Sequence, residues 1–264
     1  MKAPSFAYAK PKSLAEAFTL LERPGTQVLA GGQSLIPALN MRLSSPELLV
    51  DIGGLGELSG ISFNSGILRV GALTTHAQLG NSAEVHKRVP LLAQAVPHIA
   101  HAAIRNRGTL GGSLALADPA AEYPACAVAL DAVFIILSSQ GERRTKASQF
   151  FKGLFETDLR PGELLAAAEF PAGGRSAFLE LTRRQGDYAI IGLAAHESRY
   201  VFLNAGPTPV LAKGACAATT LKEAVSSLKR DLNPPADLYH SSATKLHLAG
   251  VLLERAWNTL SKQH

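Results

Sequence analysis

The feature that most constrains this fold is a pair of adjacent glycines set directly between a strand and a helix near the start of the chain. Gln27-Val28-Leu29-Ala30 is short and mostly apolar, and it runs without a spacer into Gly31-Gly32-Gln33-Ser34. A helix over 34–43 is expected next, because Pro37 falls in the first turn, where a missing N–H breaks no helical bond. Leu48-Leu49-Val50-Asp51-Ile52 then reads as a second apolar strand. A strand–helix–strand unit implies parallel strands and a right-handed crossover. At such a junction glycines let successive amides converge with no Cβ in the way, which suits an anion, and a helix N-terminus adds partial positive charge.

A second segment of like composition is Gly108-Thr109-Leu110-Gly111-Gly112-Ser113. It reads as another glycine-rich turn. Two such turns could grip the two phosphates of a dinucleotide from opposite sides, although each alone could equally relieve crowding. Other motifs fall away. No Walker A sequence is present, and Gly54-Leu55-Gly56 has Ser59 where a dinucleotide fingerprint needs its third glycine. No Gly-x-Ser-x-Gly elbow occurs. His98 and His101 are three apart in sequence but lack a visible third metal ligand.

Elsewhere, a helix over 13–21 has Ser13 and Glu16 as a capping box, and Pro24-Gly25 ends it. The pattern predicts a strand over 67–71, a helix over 91–104 interrupted by Pro97, and a hairpin of 133–138 with 143–146. Asp118-Pro119 reads as an N-cap and first helical position, opening a helix to about Leu130. Pro171-Ala172-Gly173-Gly174 marks a boundary. Beyond it, 177–182, 189–195 and 199–204 are expected to form a small sheet, followed by helices over 221–228 and 241–260. The last carries an apolar stripe at Leu246, Ala249, Leu253 and Trp257. The fold class is α+β, in two domains.

Composition narrows the function. The net charge of +5 would suit an anionic partner, but the basic residues are scattered. No helix-length basic stripe, zinc finger or RNP pattern appears, so nucleic acid is not expected. Cys126 and Cys216 are the only cysteines. An iron–sulfur cluster needs four thiolates and a structural zinc four Cys/His ligands, so neither is expected here. Both thiols are expected to be buried, in a reducing compartment. Met1-Lys2-Ala3-Pro4 lacks the apolar core of a signal peptide, and the apolar run 132–137 is far shorter than the roughly 20 residues of a membrane span. A cytoplasmic protein is expected.

Taken in order, 29–37 and 104–113 resemble the FAD-binding medium subunit of molybdenum hydroxylases, the family of the carbon monoxide dehydrogenase medium chain and the xanthine dehydrogenase flavin domain. The likeness continues through Gly71-Ala72-Leu73-Thr74-Thr75-His76, Asp118-Pro119-Ala120-Ala121-Glu122 and Arg184-Gln185-Gly186-Asp187-Tyr188-Ala189. The resemblance implies a vanillyl-alcohol-oxidase-like FAD-binding region over 1–172, in subdomains of about 1–55 and 56–172. A C-terminal α+β domain with a small antiparallel sheet would follow over 173–264. It implies that Leu29, Ala30, Gly31, Gly32, Gln33, Ser34, Leu35 and Ile36 wrap the pyrophosphate and adenosine side of FAD. Thr109, Leu110, Gly111, Gly112 and Ser113 would close on the pyrophosphate from the second subdomain. Asp118 and Glu122 would bond polar parts of the cofactor, Leu165 would pack near the adenine, and Tyr188 would lie against the isoalloxazine ring. Each has a plainer reading: Asp118 as a cap, Glu122 as a solvated helix residue, Leu165 as core, Tyr188 as a packed aromatic. Arg105 and Arg107 would shape their loop or face a partner. Asn40, Ala103 and Leu211 depart from the family's usual lysine, glutamine and arginine, the last bearing on C-terminal or partner contacts.

The resemblance also implies a division of labour. Substrate would be hydroxylated at a molybdopterin centre on a large subunit, and electrons would cross two [2Fe–2S] clusters on a small subunit to reach FAD here. The assembly would be a dimer of heterotrimers, and no residue of this chain need act as acid, base or nucleophile. Two other readings stay open: a self-contained flavin oxidoreductase, such as a reductase of a nucleotide-sugar enol ether, and a non-catalytic module using the basic surface.

Overall fold

The computed structural model describes residues 2–263; Met1, part of the expectation that no signal peptide is present, and His264 lie outside the described residues. The chain opens with β1 (Ala7–Ala9), α1 (Leu14–Leu21), β2 (Thr26–Leu29), α2 (Leu35–Asn40) and β3 (Leu48–Asp51). The strands form a parallel sheet in the order β1-β3-β2, as the crossover unit requires. Ser13 caps α1 by accepting from the Glu16 N–H, but the Glu16 carboxylate reaches back to the Lys12 N–H at 2.8 Å, so the expected box closes one residue early. The helix expected over 34–43 is shorter. Arg42 takes a left-handed φ of 58°, the Leu43 N–H bonds the Ala38 carbonyl and the Arg42 N–H bonds that of Leu39, a Schellman ending.

Next come β4 (Ile61–Asn64) and β5 (Ile67–Gly71), then six helices: α3 (His76–Asn81), α4 (Ala83–Arg88), α5 (Pro90–Ala95), α6 (Ala102–Arg105), α7 (Leu110–Leu116) and α8 (Glu122–Ala129). The interruption expected at Pro97 is there: a 3-10 turn at Val96–His98 lies between α5 and α6, because proline removes a helical donor and crowds the preceding turn. One expectation is corrected. Asp118 does not cap a helix. Its carboxylate accepts from the Ala120 N–H at 2.9 Å in a local turn, and α8 starts only at Glu122.

The hairpin β6 (Val133–Ser138) and β7 (Gly141–Lys146) forms as expected. It is followed by α9 (Ala147–Phe150), the two-strand pair β8 (Phe151–Gly153) and β9 (Glu156–Thr157), and β10 (Leu164–Pro171). β10 is the centre of an antiparallel sheet ordered β4-β5-β10-β6-β7. The sequence pattern does not reveal it, because Leu-Leu-Ala-Ala-Ala-Glu favours helix by propensity; pairing on both sides overrides that preference.

The remainder is β11 (Ser176–Leu181), β12 (Ile191–His196), β13 (Arg199–Leu203) and β14 (Val210–Leu211), an antiparallel sheet, followed by α10 (Lys213–Ala217), α11 (Leu221–Asp231) and α12 (Ser242–Ser261). β1, β4, β14 and α10 were not foreseen either. Strand side chains alternate between faces. Leu193, Ala195 and Phe202 join the core with α11 and α12, while Phe178, Ala194, Val201 and Leu203 join the core that holds α5 and α8. Both faces of this sheet are therefore covered, and packing continues across the proline–glycine break at 171–174. Cys126 is buried in α8, but Cys216 in α10 is only half-buried, against the expectation that both would be enclosed. Among the described residues no helix is long and apolar enough to cross a membrane.

Candidate cofactor site

A cavity of about 550 Å³ lies where these parts meet, within the ordinary range for a cofactor site. Its walls are the β2–α2 junction, the β5–α3 turn, the start of α7, the segment leading into α8, the start of β10 and the β11–β12 turn. The two glycine segments meet there at backbone contact. A Cβ on Gly31 would stand 2.1 Å from the Arg107 carbonyl oxygen, so only glycine lets the first segment approach the second this closely. Gly32 takes a φ of +72°, a conformation that side chains disfavour.

The segments are not equivalent in their hydrogen bonds. Among the described residues, the amides of Gly31, Gly32, Gln33 and Ser34 donate to no protein acceptor, while the Ile36 N–H returns to the Gly32 carbonyl. Four consecutive N–H groups therefore stand free at the cavity, the arrangement that cradles a phosphate. In the second segment the amides are occupied: Leu110 N–H donates to the Thr74 carbonyl, Gly111 to Ala72, Gly112 to the Thr109 hydroxyl and Ser113 to the Thr109 carbonyl. The reading of 108–113 as a glycine turn with free amides is thus corrected. Thr109 is an N-cap, and Gly111, Gly112 and Ser113 form the first turn of α7. Gly111 serves packing, since a Cβ there would lie 2.4 Å from that of Ala72.

All the residues that the resemblance assigned to FAD line the cavity except Leu29, Ile36 and Leu110. Leu29 is a strand residue whose carbonyl accepts from Ile52, Leu110 is buried in the core, and Ile36 is exposed. Leu165 is 5% exposed and Tyr188 77% exposed, so one is an inner wall and the other stands at the mouth. Asp118 and Glu122 both line the cavity. Burial raises both carboxyls above their ordinary values, Glu122 to about 7, with the Asp118 charge adding to it. Arg105 shapes its loop: its Nη1 donates to the Ile99 and Ala100 carbonyls, both at 2.9 Å. Neither Arg105 nor Arg107 lines the cavity, and no lysine or arginine does so among the described residues. A bound phosphate would therefore be held by backbone dipoles rather than by cations, and the free amides of 31–34 fit a dinucleotide on that ground.

Sequence reasoning did not single out His76 or Glu163, which also line the cavity. His76 is buried and its Nδ1 has no hydrogen-bond partner; burial, with Arg105 nearby, depresses it to about 4, so it is neutral at physiological pH. The signal for its placement was the Thr75/Gln78 capping box at the start of α3. Glu163 is gripped by Arg143, whose Nε and Nη2 both lie 2.6 Å from its carboxylate, and that hydrogen bonding holds Glu163 below the ordinary value. Arg143 also reaches Asp158 at 2.8 Å, which fixes the segment 158–163 beside the cavity.

Comparison with known proteins agrees with this geometry. Residues 4–173 match the model for the FAD binding domain in molybdopterin dehydrogenase. The chain is 36% identical to the 6-hydroxypseudooxynicotine dehydrogenase complex subunit alpha of Paenarthrobacter nicotinovorans, covering 99% of this chain and 95% of that one. Among solved structures, a carbon monoxide dehydrogenase from Hydrogenophaga pseudoflava superposes with a TM-score of 0.94 at 34% identity, covering 99% of each chain. Quinoline 2-oxidoreductase from Pseudomonas putida 86 gives 0.93 at 37%, again covering 99% of each. With likeness extending over nearly its whole length and the domain model spanning most of it, this chain belongs to the family of FAD-binding subunits of molybdenum hydroxylases.

Proposed function

We propose that this chain is the electron-transfer subunit of a multi-subunit molybdenum hydroxylase, cytoplasmic and unable to oxidise the organic substrate alone. Its partners are a large molybdopterin-binding subunit and a small subunit with [2Fe–2S] clusters, in a dimer of heterotrimers. Residues 1–172 form the FAD-binding domain, in subdomains of about 1–55 and 56–172, and 173–264 form the C-terminal domain. The observation that carries the reading is the run of four free amides, Gly31 to Ser34, facing a cavity with no lysine or arginine in its wall. Those amides hold the pyrophosphate, with Ala30 and Leu35 beside them and Ser113 opposite. Asp118 and Glu122 bond polar groups of the cofactor, Leu165 forms an apolar wall, and Tyr188 covers the ring from the mouth. Leu29, Ile36 and Leu110 support the binding segments from behind; Thr109 and Gly112 shape the start of α7.

When bound, FAD supplies the redox chemistry, taking electrons from the clusters and passing them to an external acceptor. The chain's own residues position it and limit water around it. Cys126 and Cys216 lie on different helices, α8 and α10, and cannot supply the four thiolates of a cluster. The purified protein should be yellow and release FAD on denaturation, and purification from the native host should bring down two further chains, one carrying about eight cluster-ligating cysteines. Colourless protein that takes up no added FAD would overturn the reading, and salt-sensitive DNA binding without flavin would favour the basic-module alternative.

A further inference from the structure

The proposed cofactor is anionic, yet the acids in its cavity have no cation among the lining residues to neutralise them. Glu163 finds one in Arg143, to one side. Glu122, at the start of α8, does not. Near enough to feel its charge, on the face of β11 that joins the core with α5 and α8, stands another acid, Glu180. Glu180 pairs across the sheet with Gly192, on the same face as Phe178 and Ala194. Its side chain is 0% exposed, and neither carboxyl oxygen has a hydrogen-bond partner; the nearest basic atom is His98 Nδ1 at 3.9 Å. A carboxylate in such a place would be an unpaired buried charge, which proteins avoid by keeping the proton.

The groups that act on this pair give the same answer. From α8 come Tyr123 and Cys126, both fully buried and both held protonated by burial first. From the preceding segment comes Asp118, and from the β11–β12 turn Tyr188, which feels both Asp118 and Glu122. His98 is shifted down by burial, toward the neutral form. Arg105, which acts on Tyr123 and His76, has its guanidinium bonded to two carbonyls. Among the described residues no cation offsets the burial of Glu122. Burial first, with the Asp118 charge adding to it against the backbone N–H at the start of α8, raises Glu122 to about 7; burial, then the Glu122 charge, raises Glu180 to about 8.

We propose that Glu122 meets FAD as a neutral carboxylic acid, donating a hydrogen bond to an acceptor on the cofactor, so that binding is linked to proton uptake. The proposal rests on the FAD reading above and goes beyond it by assigning the donor and its proton. A carboxylate in the same position would offer only acceptors to an already anionic ligand. The sign follows: below neutrality Glu122 holds its proton and affinity is flat; above it each binding event must first take up a proton from solution. The apparent Kd then rises by up to about tenfold per pH unit.

The test uses the full chain stripped of flavin and titrated with FAD from pH 6 to 9 by flavin fluorescence, with calorimetry in two buffers of different ionisation enthalpy to count protons. Wild type should weaken steadily above neutrality and take up a proton on binding. Glu122→Gln, which keeps a donor that cannot ionise, should bind with an affinity that stays flat from pH 6 to pH 9. In infrared difference spectra of the FAD-bound protein, one of the protonated-carboxyl stretches of wild type should be lost in this variant, that of Glu180 remaining. A flat wild-type profile with no proton uptake would overturn the inference while leaving the FAD reading intact; so would a Glu122→Gln variant whose affinity falls above neutrality as steeply as that of wild type. No FAD binding at any pH would overturn both.

Discussion

Residues 31–34 and 109–113 look alike in composition, each with adjacent glycines and a hydroxyl, and they use those residues in opposite ways. The first leaves its amides unpaired where its residues line the cavity. The second directs its amides inward, onto Ala72, Thr74 and Thr109, and so locks α7 against the turn that follows β5. Glycine in the first is a requirement of backbone conformation and of contact with Arg107; in the second, Gly111 is a requirement of packing. Two glycine pairs in a sequence are therefore not two anion sites, and only the destination of the N–H groups tells them apart.

Substitutions can break that distinction or sharpen it. The largest effect is expected from Gly111→Val. Its Cβ would meet Ala72 at 2.4 Å and the Ala72 backbone at 2.8 Å, a buried clash that costs about 3 kcal/mol or more. Chemical denaturation should show a lowered midpoint even in protein free of flavin; a variant as stable as wild type would remove the packing role. Gly32→Ala comes next. It forces a side chain into a left-handed conformation at φ +72° and costs about 1–2 kcal/mol, with little steric conflict, since the nearest atom, on the Ile36 side chain, lies at 3.1 Å. Far-UV circular dichroism should stay unchanged while FAD affinity drops about tenfold or more, and unaltered flavin retention would deny the first segment its anion role. Thr109→Ala should do least. It removes the cap that accepts from the Gly112 N–H, worth about 1 kcal/mol, and shows as a small fall in Tm with FAD affinity nearly unchanged. A large affinity loss there would mean that the second segment touches the cofactor more directly than its hydrogen bonds imply.

How much was legible depends on how local each signal was. The parallel opening, the β6–β7 hairpin and the long C-terminal helix were readable, because turn residues and side-chain periodicity state them within a few positions. Ala249 and Leu253 of the expected stripe are fully buried and Leu246 and Trp257 are packed against that core. β10 was not legible, because its alanines favour a helix and only pairing with β5 and β6, partners distant in sequence, makes it a strand. Asp118-Pro119 carried a helix-start signal, yet the Asp118 side chain satisfies the Ala120 amide in a turn and α8 starts three residues later. Most of the residues that the resemblance assigned to FAD line the cavity; Glu163 was not picked out, and His76, though it ends the motif 71–76, was given no role there, since their places are set by Arg143 and by the packing of α3.

By itself the sequence determined that an apolar strand runs into two glycines and a helix, that two cysteines cannot ligate a cluster, and that the motifs follow one family's order. Those are properties of neighbouring residues or of counts, and no folding is needed to state them. Only the tertiary structure decided which amides remain free, that Gly111 is held against Ala72, and that Glu180, nearly 60 positions beyond Glu122, feels the Glu122 charge and has no hydrogen-bond partner. Hydrogen-bond satisfaction and desolvation depend on atoms brought together from across the chain, and no window of sequence contains them.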